Sequence, residues 1–309
     1  MRLLRSIVML WVIALCAHKV SGQYYFYDNE HLEPNVLWEA GISVGAMNAL
    51  TDLGGKKGLG KGGIKDLNGQ HYNFAGGFYV GALYHQTIGG RLDLTFGRVS
   101  GSDNVLEGEM GEAKGRYMRN LSFQSKITEA ALLAEFHPLP LFQSMAKEPS
   151  FFSPYIVGGV GLFHFNPQGF NGYRWVDLQP LRTEGQGFPE YPTRRPYKLT
   201  QVNFPLGIGV KYEVSAFMNA RFEIMHRVLK TDYLDDVSTT YIDPARFIEN
   251  LPHGQAELAA QMADRRNELD PSSVTVDGSI RGNPNNNDSY FTIQFKLSMS
   301  IGRTKRVKW

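Results

Sequence analysis

The stretch Tyr290–Ile301, YFTIQFKLSMSI, constrains the fold of this chain more than any other. Phe291, Ile293, Phe295, Leu297, Met299 and Ile301 are apolar, while Tyr290, Thr292, Gln294, Lys296, Ser298 and Ser300 are polar or amphipathic. Unbroken period-two alternation marks a strand with one apolar and one polar face. It is longer than the usual strand of a soluble domain and matches one that crosses a bilayer at a tilt. Only GRTKRVKW follows it, so it reads as the closing strand of a small membrane barrel.

Seven further stretches supply the other strands: Val36–Ala49, Tyr72–Tyr84, Ile88–Ser100, Arg119–Phe136, Phe152–Phe165, Thr200–Glu213 and Phe217–Lys230. In the fourth, Leu121, Phe123 and Ile127 have one parity and Ala130, Leu132, Ala134 and Phe136 the other, which predicts a bulge near Thr128–Ala130. The facing of the fifth stays open, because Tyr155, Val157 and Phe163 compete with Ile156, Val160 and Leu162. Long connections (50–71, 101–118, 166–198, 231–289) alternate with short ones (85–87, 214–216) and one of intermediate length (137–150). Outer-membrane barrels segregate in this way, with long loops outside and short turns in the periplasm. The expected fold class is therefore all-β: an eight-stranded antiparallel transmembrane β-barrel of outer-membrane type. It carries long extracellular loops and one short helix, near Gln255–Leu269, in the last of them. The lysine- and glycine-rich loop after the first strand is expected to be solvated.

An eight-stranded barrel has a narrow interior filled by side chains, and charges buried there must be paired. Glu39, Arg91, Asp93, Lys126, Glu129, Lys211, Glu213, Arg221 and Glu223 fall opposite apolar faces, carry both signs, and form the expected lumen charge network. Trp38, Tyr72, Tyr84, Tyr212, Phe217 and Tyr290 stand near strand ends and suit interfacial girdles.

At the N-terminus, Arg2 and Arg5 precede the apolar run Ile7–Ala17, and Val20-Ser21-Gly22 offers a cleavage site before Gln23. Residues 1–22 read as a secretory signal peptide, 23–35 as a periplasmic lead-in in which Pro34 disfavours a strand, and 36–309 as the barrel. Cys16 is the only cysteine, so the mature chain has no disulfide.

The formal net charge of +2 gives no basis for nucleic-acid binding. No two histidines show metal-ligand spacing, no His-x-Ser pair occurs, and KKGLGKGG at 56–63 lacks a P-loop ending. Asp232, Asp235 and Asp236 lack the alternating ligands of an EF-hand and read as a capped turn after the seventh strand. The chain is thus expected to be non-enzymatic, with no catalytic residue, no metal and no cofactor; its partners include outer-membrane lipids. The connection after the fourth strand is long for a periplasmic turn. It carries Leu139, Leu141, Phe142 and Met145, a candidate docking turn for a periplasmic partner.

Three segments also carry a resemblance: QYYFYDNEHLEPNVLWEAGISVGAMNALTDLGG at the mature start, SPYIVGGVGLFHFNP in the fifth strand, and TDYLDDVSTTYIDP after the seventh. Together they resemble the PorG-like outer-membrane proteins of Bacteroidota, which accompany type IX secretion and gliding motility. The resemblance covers nearly the whole mature chain. It implies an outer-membrane barrel that contacts a periplasmic ring formed by a lipoprotein and its partner protein, and it carries no catalytic residues. The alternatives are an OmpA/OmpX-like adhesin or receptor acting through its outer loops, and a narrow channel or barrel enzyme.

Overall fold

The computed structural model describes residues 31–32, 34–53, 72–142 and 152–305. The expected signal peptide, most of the lead-in, loop residues 54–71 and Met145 lie outside the described residues. Eight strands dominate: β1 Val36–Leu50, β2 Asn73–Tyr84, β3 Ile88–Ser102, β4 Ser122–Phe136, β5 Phe152–His164, β6 Thr200–Ser215, β7 Met218–Leu229 and β8 Ser289–Ile301. Each pairs antiparallel with its neighbours in sequence. The sheet closes because β8 also pairs with β1, from Ser289↔Leu50 through Phe295↔Val44 to Ile301↔Trp38. Just outside this seam, His31–Leu32 pairs with Thr304–Lys305, a short ladder that comes before Pro34.

Closure removes the edges of the eight-stranded wall, which is what hydrocarbon requires of a spanning sheet. The outer wall is apolar: Ile42, Val44, Phe78, Leu94, Ile208 and Phe295 stand exposed, within a range set by Ile224 at 40% and Leu132 at 63%. A contiguous apolar band around the molecule far exceeds the patches a soluble monomer exposes, and its place is against lipid. Phe291 keeps the outward parity but is buried, with the Tyr72 ring edge-on at 6.1 Å.

Three expectations are corrected. The pairing of β4 with β3 runs from Ile88↔Phe136 to Ser102↔Ser122 without a shift, so there is no bulge near Thr128–Ala130. Burial alternates along all of β4, and Phe123 and Ile127 simply point inward with Glu129 and Ala131. The strand rises past the lipid band, where its outer face becomes polar and its inner face apolar. For the same reason Lys126 is exposed on the outer wall and is no member of the lumen network. Tyr290 is fully buried inside the barrel instead of lying in an aromatic girdle. The open question about β5 is settled: Tyr155, Val157 and Phe163 face inward, and Ile156, Val160 and Leu162 face out.

At the loop end the long connections fold on one another. The second holds α1, Glu112–Arg119. A one-turn helix, α2 Leu139–Phe142, lies in the turn after β4 at the opposite end. The last connection holds α3 Ala245–Asn250 and α4 His253–Ala263, the latter in place of the expected Gln255–Leu269 helix. Residues 167–170 and 175–177 form a hairpin that extends the wall above β4.

Candidate functional site

The barrel's interior is a stack of paired charges. Near the turn end, Glu39 forms an ion pair with Lys211 at 2.7 Å and accepts from Asn219 at 3.0 Å and from Arg221. Arg221 reaches across to Glu135 with two contacts of 2.9 Å. Glu135 also accepts from Arg91, which holds Glu223 at 2.8 Å and Asp93 at 2.5 Å. Lys296 joins Asp93 at 2.7 Å and Glu223 at 2.8 Å. Higher up, Arg227 pairs with Glu129 at 3.1 Å, and the Tyr290 hydroxyl donates to the same carboxylate. At the turn-end mouth, Arg303 holds Glu213 at 3.1 Å.

Six carboxylates (Glu39, Asp93, Glu129, Glu135, Glu213, Glu223) thus face six cations (Arg91, Lys211, Arg221, Arg227, Lys296, Arg303). The equality matters because an unpaired ion in so dry a place would cost several kcal/mol. Tyr79 is the hub: Arg91, Arg221 and Lys296 lie over its ring at 5.4, 5.7 and 5.3 Å. Such contacts strengthen when desolvated. Inward glycines make room for these rings; a Cβ on Gly209 would lie 2.4 Å from the Tyr155 ring.

Eight of the nine expected lumen residues take this place, Lys126 being the exception. Glu135, Arg227, Lys296 and Arg303 complete the network. Arg227 and Lys296 were readable from strand parity. Glu135 shares the parity of Glu129 and was equally readable. Arg303 lies beyond the last strand, where no alternation marks it.

At the turn end, His137 is fully buried and stacks on Tyr155 with centroids 4.8 Å apart. Its ring meets Ser153 Oγ at 2.9 Å through Nδ1 and Glu135 at 3.3 Å through Nε2. The Ser–His–Glu order resembles a hydrolytic triad, but the roles are different. Glu135 is bound by two guanidiniums, and the buried imidazole is enclosed between the Tyr155 ring and that network. The contacts pin the start of the 137–151 turn, whose backbone His137 N–H also donates to Thr87 O at 2.7 Å. Beyond it Leu139 is half-buried and Leu141 exposed. On the outer wall beside this turn, Phe136, Pro138, Ile156, Ile208, Val210 and Phe222 line an apolar trough of about 540 Å³.

At the loop end the lumen is stoppered by apolar side chains, among them Met47, Phe123, Phe163 and Phe165. Above them the loops form a packed cap with a core of its own, built on Leu178, Phe188, Phe247 and Met262. Two buried arginines tie the loops together. Arg119 grips Asp103 with two 2.8 Å bonds and donates to Asp52 O at 2.8 Å and Arg281 O at 2.7 Å. Arg281 pairs with Glu184 at 2.8 Å and donates to Asp236 O at 2.6 Å.

The aspartates after β7 are the cap's acceptors. Asp235 takes the backbone N–H of Leu53 at 3.0 Å and of Val237 at 2.9 Å, and Asp236 takes the hydroxyls of Thr183 at 2.5 Å and Tyr197 at 2.6 Å. Asp288 takes Leu234 N–H at 2.8 Å. Among the described residues no three acids or histidines are arranged to hold a metal ion.

Burial, with neighbouring carboxylates adding to it, raises Asp232 to about 8 and Asp235 to about 7; burial raises Asp236 to about 6. Burial likewise lifts Asp288 and Asp52. Folded-state values above the ordinary carboxylate range mean that the folded cap binds protons the unfolded chain releases, so stability is present in acid and lost as pH rises through about 6 to 8. Amide exchange of residues 231–288 in detergent should therefore quicken between pH 6 and pH 8. Asp232→Asn should flatten that dependence; exchange that slows with rising pH, after correction for intrinsic rates, would contradict it.

No known family model matches the chain, and no curated protein sequence does. Among solved structures, similar ones include the N-terminal β-barrel domain of Pseudomonas aeruginosa OprF, at 8% identity and a TM-score of 0.32, covering 86% of this chain and 98% of that one. Yersinia pestis Ail in complex with the heparin analogue sucrose octasulfate is similar at 7% identity and a TM-score of 0.37, covering 85% and 99%. Neisserial surface protein A is similar at 8% and 0.34, covering 86% and 97%. The fold itself rests on this chain's own strand pairings: a closed, eight-stranded antiparallel β-barrel.

Proposed function

We propose that this chain is a non-enzymatic outer-membrane component of the type IX secretion machinery, anchoring or positioning a periplasmic ring at the membrane. The observation that carries the non-transport part is the lumen. Among the described residues, twelve paired charges and an apolar stopper fill the lumen, which leaves the two ends and the wall as the barrel's usable surfaces. The apolar belt and the loop asymmetry support the outer membrane. The resemblance of the three sequence segments supports the secretion system and the ring partner. The turn after β4 is the docking element in this reading, with His137 holding its root and Leu139 and Leu141 leading away from the mouth. Phe142's side chain and Met145 lie outside the described residues.

Two measurements test it. Deleting the gene should abolish export of secreted cargo; normal export without the protein would end the proposal. Deleting residues 139–145 should leave a heat-modifiable barrel in the membrane but lose the co-purifying ring proteins, whereas an intact assembly would remove the turn from the mechanism.

The cap favours a second reading, a surface-binding barrel. It is packed, and it displays Ile248, Val274, Val276 and Ile280 to solvent, each at least 60% exposed. Replacing Val274 and Val276 by serine should then abolish binding to a surface partner while export stays normal.

A further inference from the structure

We infer that the outer wall at the loop end, around Arg98 and Lys126, binds the phosphate of a membrane lipid headgroup. The inference rests on the reading of the chain as a membrane barrel and needs nothing of the secretion role. The register sets Arg98 directly opposite Lys126 on adjacent strands, both side chains exposed. Like charges so placed repel. Neither has a carboxylate partner among the described residues. The Arg98 guanidinium donates to Gln124 Oε1 at 3.1 Å, and Gln124 donates in turn to Gln168 at 3.2 Å, so the amide row holds the cation flat against the wall. The nearest acid on that row is Asp177, whose oxygen is taken by Gln168 at 2.7 Å and Asn166 at 3.0 Å.

Height identifies the occupant. Below the pair the outer face is apolar: Leu92, Leu94 and Phe96 on β3, Ala130, Leu132 and Ala134 on β4. The rise from Ile88 to Phe96 along a strand tilted by about 40° gives roughly 20 Å of height, close to the apolar band of an outer-membrane barrel. Arg98 and Lys126 begin where that band ends, at the level of headgroup phosphates. The same edge carries Lys230, whose ammonium lies 5.1 Å from the Phe204 ring on the outer wall. The opposite edge is different in kind. Its outward strand residues include Trp38, Tyr84, Phe136, Phe152 and Tyr212, and none of the outward strand residues there is basic. Among the described outward residues of the eight barrel strands, both cations thus stand at the loop edge, while Lys305 of the short ladder lies at the other end.

The full chain in detergent micelles would be titrated with a diacyl phosphatidate, with the diacylglycerol of the same chains, and with inorganic phosphate, reading retained lipid by native mass spectrometry. Phosphatidate should bind and diacylglycerol should not compete. The Arg98→Gln/Lys126→Gln double variant, equally heat-modifiable, should lose affinity by about tenfold or more, with Arg98→Lys retaining most of it. Unchanged phosphatidate binding by the folded double variant would overturn the inference. So would displacement of the lipid by inorganic phosphate at equal concentration, which would make the site one for a free anion. A chain that never enters bilayers would refute the membrane reading instead.

Discussion

Arg221→Leu should lower the barrel's stability by about 3–5 kcal/mol, the scale of breaking a buried ion network from one side. The guanidinium bridges Glu39 on β1 and Glu135 on β4, and also lies over the rings of Tyr79 and Tyr155. Without it two carboxylates stay buried with reduced compensation. Leucine fills some of the volume but accepts no charge. The measurement is urea-induced unfolding in detergent, followed by tryptophan fluorescence and by the band shift between folded and boiled protein. Adding Glu135→Gln should recover part of the loss, because it removes one of the orphaned charges; an unaltered midpoint in the single variant would mean that the lumen network is solvated after all.

Phe295→Lys should cost about 2–4 kcal/mol, the range for a cation at the bilayer midplane on a lipid-facing strand position. Phe295 pairs with Val44 on one side and Phe222 on the other, all three exposed on the outer wall. The neighbouring position offers an internal control. Lys296 already carries a lysine one residue on, but it points inward to Asp93 and Glu223. Moving the same ammonium across the sheet by one residue exchanges two carboxylates for hydrocarbon. The yield of folded, membrane-inserted protein reports the outcome, and full tolerance of the change would invert the assigned faces.

Much of the barrel was legible because period-two alternation is a local property of a wall between lipid and lumen. It identified the strands, the β8–β1 seam and most of the network. It failed where the physics of the wall changes. On β4 the inside becomes apolar above the lipid, so Phe123 and Ile127 imitate lipid-facing residues while Lys126 imitates a lumen charge. Tyr290 misled in the same way, since a tyrosine at a strand end suits a girdle as well as a carboxylate partner inside. Of the cap, only a helix near α4 was legible. Leu178 and Phe188 come from an irregular segment and Phe247 and Met262 from the short helices α3 and α4, and no periodicity announces that the two connections share a core. The His137 contacts were equally hidden, because Ser153 and Glu135 lie on the two strands flanking a turn.

The pairing of distant partners across the lumen dictates the order of assembly. Glu39, Asp93 and Glu129 belong to β1, β3 and β4, yet they are neutralised by Arg221, Lys296 and Arg227 from β7 and β8. A nascent sheet lacking its last two strands would leave Glu129 without its cation, and Glu39 and Asp93 with only Lys211 and Arg91, along with two open edges. Hydrocarbon tolerates neither. Strand-by-strand entry into the bilayer is therefore uphill until the final residues arrive. Closure of the cylinder and completion of its ion pairs therefore coincide on the arrival of β7 and β8.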